Sequence, residues 1–365
     1  MVDLTTDLCG LMLRNPVLPA AGPPGRSGEA LVACARGGAG GLVSKTVSRH
    51  PAQVPAPNMA ALPGGLLNCE LWSELPLEQW LQTEYPRALE AGLPLIIGLG
   101  YTAADIRELA PRVRPFADAV ELSTHYIGED PRPMQEAIAA AREHLDVPVI
   151  VKLSPLGRDL VAAARAAVAA GAHAIAAINS FGPCLAIDAE SGRPLLGGPS
   201  GYGWLSGPAI KPLALRCVWE ISQAVSVPVV GVGGVSSGRD AVEMLMAGAT
   251  AVGVCTAAIL HGPAVYGRIA AELGQWLEAH GHASAREIVG RACRQAPDPA
   301  RPRHAVVDQA LCTGCGLCAE SCVYGAIRVA SRLATVDPAA CAACGLCVTR
   351  CRPGAIGLLW EPACS

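Results

Sequence analysis

Eight strand-like apolar runs alternate with helical patterns through most of this 365-residue chain, and this alternation restricts its fold more than any other feature. The runs are rich in Val, Ile, Leu and Ala on both faces, as buried parallel strands require. We therefore predict an α/β fold with a (β/α)8 TIM barrel, and a doubly wound sheet is the alternative. The strand candidates are residues 17–21, 41–47, 94–100, 118–124, 147–153, 173–179, 227–232 and 251–255.

Glycines and two long connections add detail to this barrel. Glycine readily forms the left-handed end of a helix, and it recurs before a predicted strand within residues 37–40, 170–172 and 247–249. The connections at 48–93 and 180–207 are too long for simple loops, and both follow the end of a strand. We expect them to build the active site, and surface decoration is the alternative.

Composition excludes several classes of function. The formal charge is −3 and no basic run is present, so nucleic acid is not an expected partner. The first residues carry no leader pattern, and charged residues interrupt the most apolar helical stretch, so neither secretion nor a transmembrane segment is expected. Sixteen cysteines in such a chain favour metal or redox chemistry in a reducing, cytoplasmic environment.

Two cysteine runs near the end of the chain predict two [4Fe–4S] clusters. Each run has the spacing C-x2-C-x2-C-x3-C, and in this arrangement the fourth thiolate ligates the other cluster. Zinc is the alternative, but zinc knuckles usually pair across about 15 to 20 residues. The predicted ligands are Cys312, Cys315, Cys318 and Cys351 for one cluster, and Cys341, Cys344, Cys347 and Cys322 for the other.

An internal repeat at an offset of 29 residues indicates that the two runs fold as one unit, since neither half buries a core alone. The expected domains are a barrel at 1–293, a proline-rich linker at 294–305 and a small α+β, ferredoxin-like domain at 306–365. The last of these resembles a bacterial two-cluster ferredoxin. It differs in having Val323 and Arg352 where a proline usually follows the last cysteine.

A two-cluster relay carries single electrons, and a flavin in the barrel would convert them into pairs. Gly233 and Gly234 end the seventh strand, and their backbone N–H groups, opening a helix, would hold a phosphate. The dinucleotide fingerprint would require glycine in place of Ser236. Because the chain has no NAD(P) fingerprint, the expected electron partner is an FAD- or NAD(P)H-binding flavoprotein subunit or a soluble ferredoxin, in a homo-oligomer or hetero-complex.

Lysine is rare in this chain, with three residues against 25 arginines. Lys45 ends the second predicted strand and Lys152 ends the fifth, in apolar runs where a solvated charge is not expected. An ammonium there would stabilise negative charge at N1 and C2=O of a reduced flavin. The alternative is a lysine that reaches from the barrel rim to solvent.

These residues lie in motifs that resemble the dihydroorotate dehydrogenase family. Within that family the chain resembles the C-terminal part of dihydropyrimidine dehydrogenase and its bacterial stand-alone catalytic subunit, in which an FMN barrel precedes two [4Fe–4S] clusters. The motifs include Asn15-Pro16-Val17, Ser44-Lys45-Thr46, Val151-Lys152-Leu153-Ser154-Pro155, Ile178-Asn179-Ser180, Ser206-Gly207-Pro208, Gly233-Gly234 and Val254-Cys255-Thr256.

The resemblance implies an FMN- and iron–sulfur-dependent oxidoreductase that reduces or oxidises a C=C/C–C bond beside a carbonyl. Its substrate would be small, such as a cyclic amide or a pyrimidine-like compound, and it would contact Asn68, Ser123, Asn179 and Ser180. FMN would be lined by Ala21, Gly22, Lys45, Thr46, Lys152, Ser206, Gly207, Gly233, Gly234, Cys255 and Thr256.

The sequence departs from the family after the fourth strand. Ser123 stands where the family has an asparagine that hydrogen-bonds the pyrimidine, and the following loop contains no cysteine. A proton must nevertheless reach one substrate carbon when hydride reaches the other, so His125 and Tyr126 are the candidate general acids, beside Lys152 as the catalytic cation. Hydrogen bonding within the loop is the alternative role for both.

Two other functions are consistent with the sequence. In the first, the chain is an electron-transfer subunit of a larger redox complex in which FMN is only a relay, which the altered loop after the fourth strand favours. In the second, the barrel binds a sugar phosphate and no flavin.

Overall fold

The structure is a computed structural model, and it describes residues 2–123, 130–155, 160–295 and 302–360. The chain divides into two compact units, Met1–Arg294 and Gln295–Ser365. No helix among the described residues is long and apolar enough to cross a lipid bilayer.

The first unit contains fourteen strands among its described residues, most of them short. In chain order they are β1 (Thr6–Leu8), β2 (Leu11–Leu13), β3 (Val17–Pro19), β4 (Leu42–Val43), β5 (Met59–Leu62), β6 (Gly65–Asn68), β7 (Leu95–Leu99), β8 (Ala119–Ser123), β9 (Val149–Leu153), β10 (Ala174–Ala177), β11 (Phe181–Cys184), β12 (Gly203–Ser206), β13 (Val229–Val232) and β14 (Ala251–Val254).

The helices of this unit cover the outside of a parallel sheet. In chain order they are α1 (Gly28–Arg36), α2 (Leu77–Gln79), α3 (Tyr85–Leu89), α4 (Ala103–Val113), α5 (Arg132–His144), α6 (Leu160–Ala169), α7 (Lys211–Ala224), α8 (Gly238–Met246), α9 (Thr256–His261) and α10 (Val265–Ala279).

Eight strands form the barrel, and each matches one predicted strand. Their hydrogen-bonded order is β3-β14-β13-β10-β9-β8-β7-β4, and every pair in it is parallel. A 2.7 Å hydrogen bond from the Gly40 N–H to the Val17 carbonyl links the two ends of this order. The predicted (β/α)8 barrel is therefore confirmed, and the doubly wound alternative is wrong.

The barrel has two apolar layers. Side chains such as Val120 and Leu122 point outward into the core shared with the helices, whereas Ala119 and Ile150 point into the barrel. The hairpin of β1 and β2 adds Leu8 and Leu13 to the inner layer. This alternation places every second residue of a strand inside the barrel, which decides which polar side chains can reach its mouth.

The two long connections form a second sheet together. The connection after β4 supplies β5 and β6, the connection after β10 supplies β11 and β12, and the four strands pair antiparallel in the order β11-β12-β6-β5. Since both connections follow carboxyl ends of barrel strands, this sheet lies at the end where barrel active sites form.

The second unit consists of two interleaved repeats. Its elements are β15 (Pro302–Val307), α11 (Leu317–Glu320), β16 (Ile327–Ala330), β17 (Leu333–Val336), α12 (Leu346–Arg350) and β18 (Ile356–Trp360). Strand β15 begins within the segment expected to be linker. β15 pairs with β18 and β16 with β17, so that Val307 lies opposite Ile356 and Ile327 opposite Val336. The 29-residue offset exchanges these two pairs, which fits the predicted internal symmetry.

Candidate active site

A cavity of about 690 Å³ opens at the carboxyl ends of the barrel strands. Residues that follow seven of the eight strands line it, together with residues of the four-stranded sheet above. A volume of this size is typical of small-molecule and cofactor sites.

The structure brings the expected site residues together in this cavity. Its lining includes all eleven residues assigned to FMN by resemblance and all four assigned to substrate. The candidate acids His125 and Tyr126 lie outside the residues that the structure describes. Lys152, the third candidate catalytic residue, lies in the lining.

The loop after β13 forms a backbone cradle, but not in the way predicted. Gly233 and Gly234 have positive φ angles of +128° and +79°, and a Cβ on Gly234 would lie 2.6 Å from the Lys211 Cβ. The prediction that the pair opens a helix is wrong, because α8 begins only at Gly238. The reason is that Ser237 and Asp240 form a capping box at the start of this helix, so its first N–H groups are already satisfied.

The end of β14 meets the second sheet beside this cradle. The Thr256 hydroxyl lies 2.8 Å from the Ser206 hydroxyl, which in turn donates to the Leu66 carbonyl. A Cβ on Gly22 would lie 3.1 Å from the Cys255 Sγ, so this glycine keeps the floor of the cavity open. Burial raises the pKa of the Cys255 thiol to about 11, and this group is therefore neutral at physiological pH.

Lys45 is held by two carboxylates that the sequence analysis missed. Its Nζ lies 2.7 Å from Glu70 and 2.7 Å from Glu74, and only 3% of the side chain is exposed. Glu70 also accepts a hydrogen bond from Asn58. Because a buried ammonium requires a counter-charge, acidic residues in the following connection were the signal that could have identified these partners.

Lys152 has a different electrostatic environment. It points into the barrel from β9, where it lies beside Ser123 of β8 in the parallel register. Glu121 lies two residues before Ser123 on β8, and its carboxylate is 3.7 Å from the Lys152 Nζ. Both side chains are almost completely buried, and Lys152 lies in the lining of the cavity.

The outer part of the cavity is lined by aromatic side chains that the sequence analysis did not single out. Trp72 and Tyr101 pack edge to face with ring centroids 5.5 Å apart, and Trp204 lies in the same lining. Burial raises the pKa of Tyr101, so its hydroxyl keeps its proton at neutral pH. Tyr101 thus adds a proton-bearing hydroxyl side chain to the lining, one that sequence reasoning did not consider.

In the second unit the eight cysteines of the two runs surround two small cavities. One is lined by Cys312, Cys315, Cys318 and Cys351, and the other by Cys322, Cys341, Cys344 and Cys347. These are the two sets expected from the cysteine spacing, with the fourth cysteine exchanged between runs.

Backbone N–H groups point at the exchanged sulfurs. The Ala326 N–H donates to Cys322 Sγ at 3.3 Å, and its counterpart 29 residues later, Ala355, donates to Cys351 Sγ at 3.2 Å. Such bonds stabilise thiolate character, which suits cluster ligands.

Comparisons with known proteins agree with this architecture. A family model described as dihydroorotate dehydrogenase matches residues 3–277, and one described as a 4Fe-4S binding domain matches residues 304–327. Two similar curated proteins are named "Dihydroorotate dehydrogenase B (NAD(+)), catalytic subunit". The protein from Methanothermobacter thermautotrophicus is 36% identical over 301 residues, which cover 79% of this chain and 98% of the relative. The protein from Geobacter sulfurreducens is 37% identical over 301 residues, with 79% and 97% covered.

Proposed function

Since this chain belongs to the dihydroorotate dehydrogenase family, and is thus an oxidoreductase acting on CH–CH bonds, we propose that it binds FMN and two [4Fe–4S] clusters. Its substrate is a small molecule with a C=C or C–C bond beside a carbonyl, such as a cyclic amide or a pyrimidine-like ring. The observation that carries this proposal is the presence, in one cavity, of the fifteen residues that the family resemblance assigns to FMN and substrate.

The cavity residues fit a phosphorylated flavin. The loop at Gly233 and Gly234 presents backbone and no side chain to the cavity. It packs closely on α7, because a Cβ at Gly233 would lie 2.8 Å from the Ala214 Cβ and one at Gly234 would lie 2.6 Å from the Lys211 Cβ. Backbone N–H groups of this loop and of Cys255 and Thr256 would hold the phosphate. Lys152 would place its ammonium against the part of the ring that becomes negative on reduction. Bound FMN supplies hydride transfer to the substrate and single-electron exchange with the clusters.

The residues around the outer cavity would orient the substrate and supply its proton. Asn68 and Asn179 offer amide donors and acceptors that match a cyclic amide, with Ser123 and Ser180 beside them. Ser123 has a shorter reach than the asparagine of the family, which supports a substrate other than orotate. His125, Tyr126 or Tyr101 would donate the proton to the carbon that does not receive hydride.

The two cysteine quartets support a relay through two clusters, which carries electrons between FMN and an external partner. About a fifth of this chain has no counterpart in the relative from Methanothermobacter thermautotrophicus, since 98% of that relative aligns with 79% of this chain. That relative is named as a catalytic subunit. We infer that this chain also works with a partner, a flavoprotein subunit or a soluble ferredoxin in the cytoplasm, and that its own cluster domain is where that partner exchanges electrons.

Anaerobic purification tests the proposal directly. We expect about one FMN and about eight irons per chain, the load of two cubane clusters. The protein reduced with viologen should then be reoxidised by at least one of a panel of orotate, uracil and cyclic enones. Protein without flavin contradicts the proposal. Bound FMN that none of these compounds reoxidises, but that exchanges electrons with the clusters, identifies the chain as a relay subunit instead.

A further inference from the structure

Glu121 and Lys152 face each other inside the barrel from adjacent strands. Their side chains are 7% and 6% exposed, and the Glu121 Oε1 lies 3.7 Å from the Lys152 Nζ. This distance is too long for a hydrogen bond but short enough for a strong electrostatic interaction in a buried site.

The same Oε1 atom is buried and has no hydrogen-bond partner among the described residues. Buried carboxylate oxygens are nearly always hydrogen-bonded, and leaving one unsatisfied destabilises the fold. Small neighbours make the position possible, because Gly98 lies opposite Glu121 on β7 and Ala176 lies opposite Lys152 on β10. The unbonded oxygen indicates that Glu121 acts through its charge on the buried Lys152 ammonium and not through a hydrogen bond of that oxygen.

Lys45 provides the contrast within the same cavity. Two carboxylates lie at hydrogen-bond distance, 2.7 Å each, from its Nζ. Glu121 lies at the longer distance of 3.7 Å from the Lys152 Nζ, and Glu121 itself is not part of the cavity lining, whereas Lys152 is. Glu121 thus acts on the cavity through Lys152 and not by direct contact with its contents.

We propose that Glu121 is a positioning residue that sets the positive charge Lys152 presents to the bound flavin. The carboxylate holds the ammonium at the cavity floor and offsets part of its charge, which makes the reduced flavin less stable than Lys152 alone would make it. The inference rests on the proposed function, since it requires FMN in the cavity.

The test is the midpoint potential of the flavin in the full-length holoprotein, measured against reference dyes at pH 7. Glu121→Gln removes the carboxylate charge beside the ammonium, so we expect the reduced-to-oxidised ratio of FMN at a fixed potential to rise about tenfold, which for a two-electron couple is about 30 mV. Lys152→Gln should lower the ratio. In the Lys152→Gln background, Glu121→Gln should have a smaller effect, because the ammonium that the carboxylate positions is absent and only the direct field of the carboxylate at the flavin remains.

A control and a second variant keep the outcomes distinct. Glu220→Gln removes an exposed carboxylate from the Arg216 ion pair on α7 and should leave the potential unchanged. If Glu121→Gln does not fold, Glu121→Asp is measured in its place. Its shorter side chain moves the carboxylate away from the Lys152 ammonium, so the ratio should rise, but by less than in Glu121→Gln.

An unchanged or lowered ratio in the Glu121 variant, or an effect of the same size without Lys152, overturns the inference while leaving the proposed function intact. Wild-type protein without flavin overturns both.

Discussion

Asn68 and Trp204 lie opposite each other on β6 and β12, the strands through which the two long connections of the barrel meet. The Asn68 side-chain amide donates a 3.0 Å hydrogen bond to the Trp204 carbonyl, and its oxygen accepts one from the Glu70 N–H at 3.2 Å. One side chain therefore joins both connections while it lines the cavity. Asn68 thus fixes the position of the second sheet above the cavity, in addition to the substrate contact proposed for it.

Asn68→Ala should lower kcat/KM for the substrate about tenfold or more, because it removes both the proposed substrate contact and the anchor of the second sheet. FMN content should change little, since nine of the eleven proposed flavin residues lie at the carboxyl ends of barrel strands and only Ser206 and Gly207 lie at the end of β12 in the second sheet. Steady-state kinetics and flavin absorbance measure the two effects. Ile187→Ala, an exposed position in the connection that carries Trp204, should behave as wild type, and an equal loss there would contradict a specific role for Asn68.

Gly234→Ala should reduce FMN affinity at least tenfold. The substitution places a Cβ 2.6 Å from the Lys211 Cβ at a φ of +79°, which forces the cradle to move. Gly281→Ala is the matched control: its φ is +72°, but nothing lies within 4 Å of its Cβ. Both variants carry the left-handed backbone penalty of about 1–2 kcal/mol, so only the clash distinguishes them. Titration of FMN fluorescence gives the two dissociation constants, and similar values would exclude the loop as the phosphate site.

These two variants also show where sequence reasoning succeeds and where it stops. The carboxyl ends of parallel barrel strands converge, so Gly234 and Lys152 could be placed at one site from the strand pattern alone. The pairing of Asn68 with Trp204 joins residues 136 positions apart, and no local pattern encodes such a register. Glu121 is an intermediate case. Alternation along β8 and β9 points both it and Lys152 inward, but only the structure gives their separation and the unbonded oxygen.

Asp240 stabilises the cradle in a pH-dependent manner. Burial alone would raise the pKa of this carboxyl, but hydrogen bonds from Lys211, Ser236 and Ser237 outweigh it and hold the pKa below its usual value. A lowered folded-state pKa contributes stability above the unfolded value of about 3.9, and this contribution is lost as pH falls through the folded value.

Asp240→Asn should therefore lower the free energy of unfolding by about 2 kcal/mol at pH 7, and the difference from wild type should shrink below about pH 4. Urea unfolding followed by circular dichroism at several pH values measures this. Asp188→Asn is the control. The Asp188 carboxylate accepts hydrogen bonds from Glu190 and Ser191 of its own loop, so its substitution should have a smaller effect. A difference for Asp240→Asn that is constant from pH 7 to pH 3 would mean that the carboxylate charge is not involved.

The exchange of the fourth cysteine between runs can be tested with paired substitutions. Cys312 and Cys351 come from different runs but line one cavity, so Cys312→Ala with Cys351→Ala should damage a single cluster and leave about four irons per chain. Cys312 and Cys322 come from the same run but line different cavities, so Cys312→Ala with Cys322→Ala should damage both.

Iron analysis and electron paramagnetic resonance of anaerobically purified protein distinguish the two pairs. The two double variants remove the same number of thiols, so a general loss of folding would affect them equally. If the Cys312→Ala/Cys322→Ala variant kept one cluster and the Cys312→Ala/Cys351→Ala variant lost both, each run would ligate its own cluster. That result is incompatible with the way β15 pairs with β18 and β16 with β17, because this pairing brings Cys351 to the first run and Cys322 to the second.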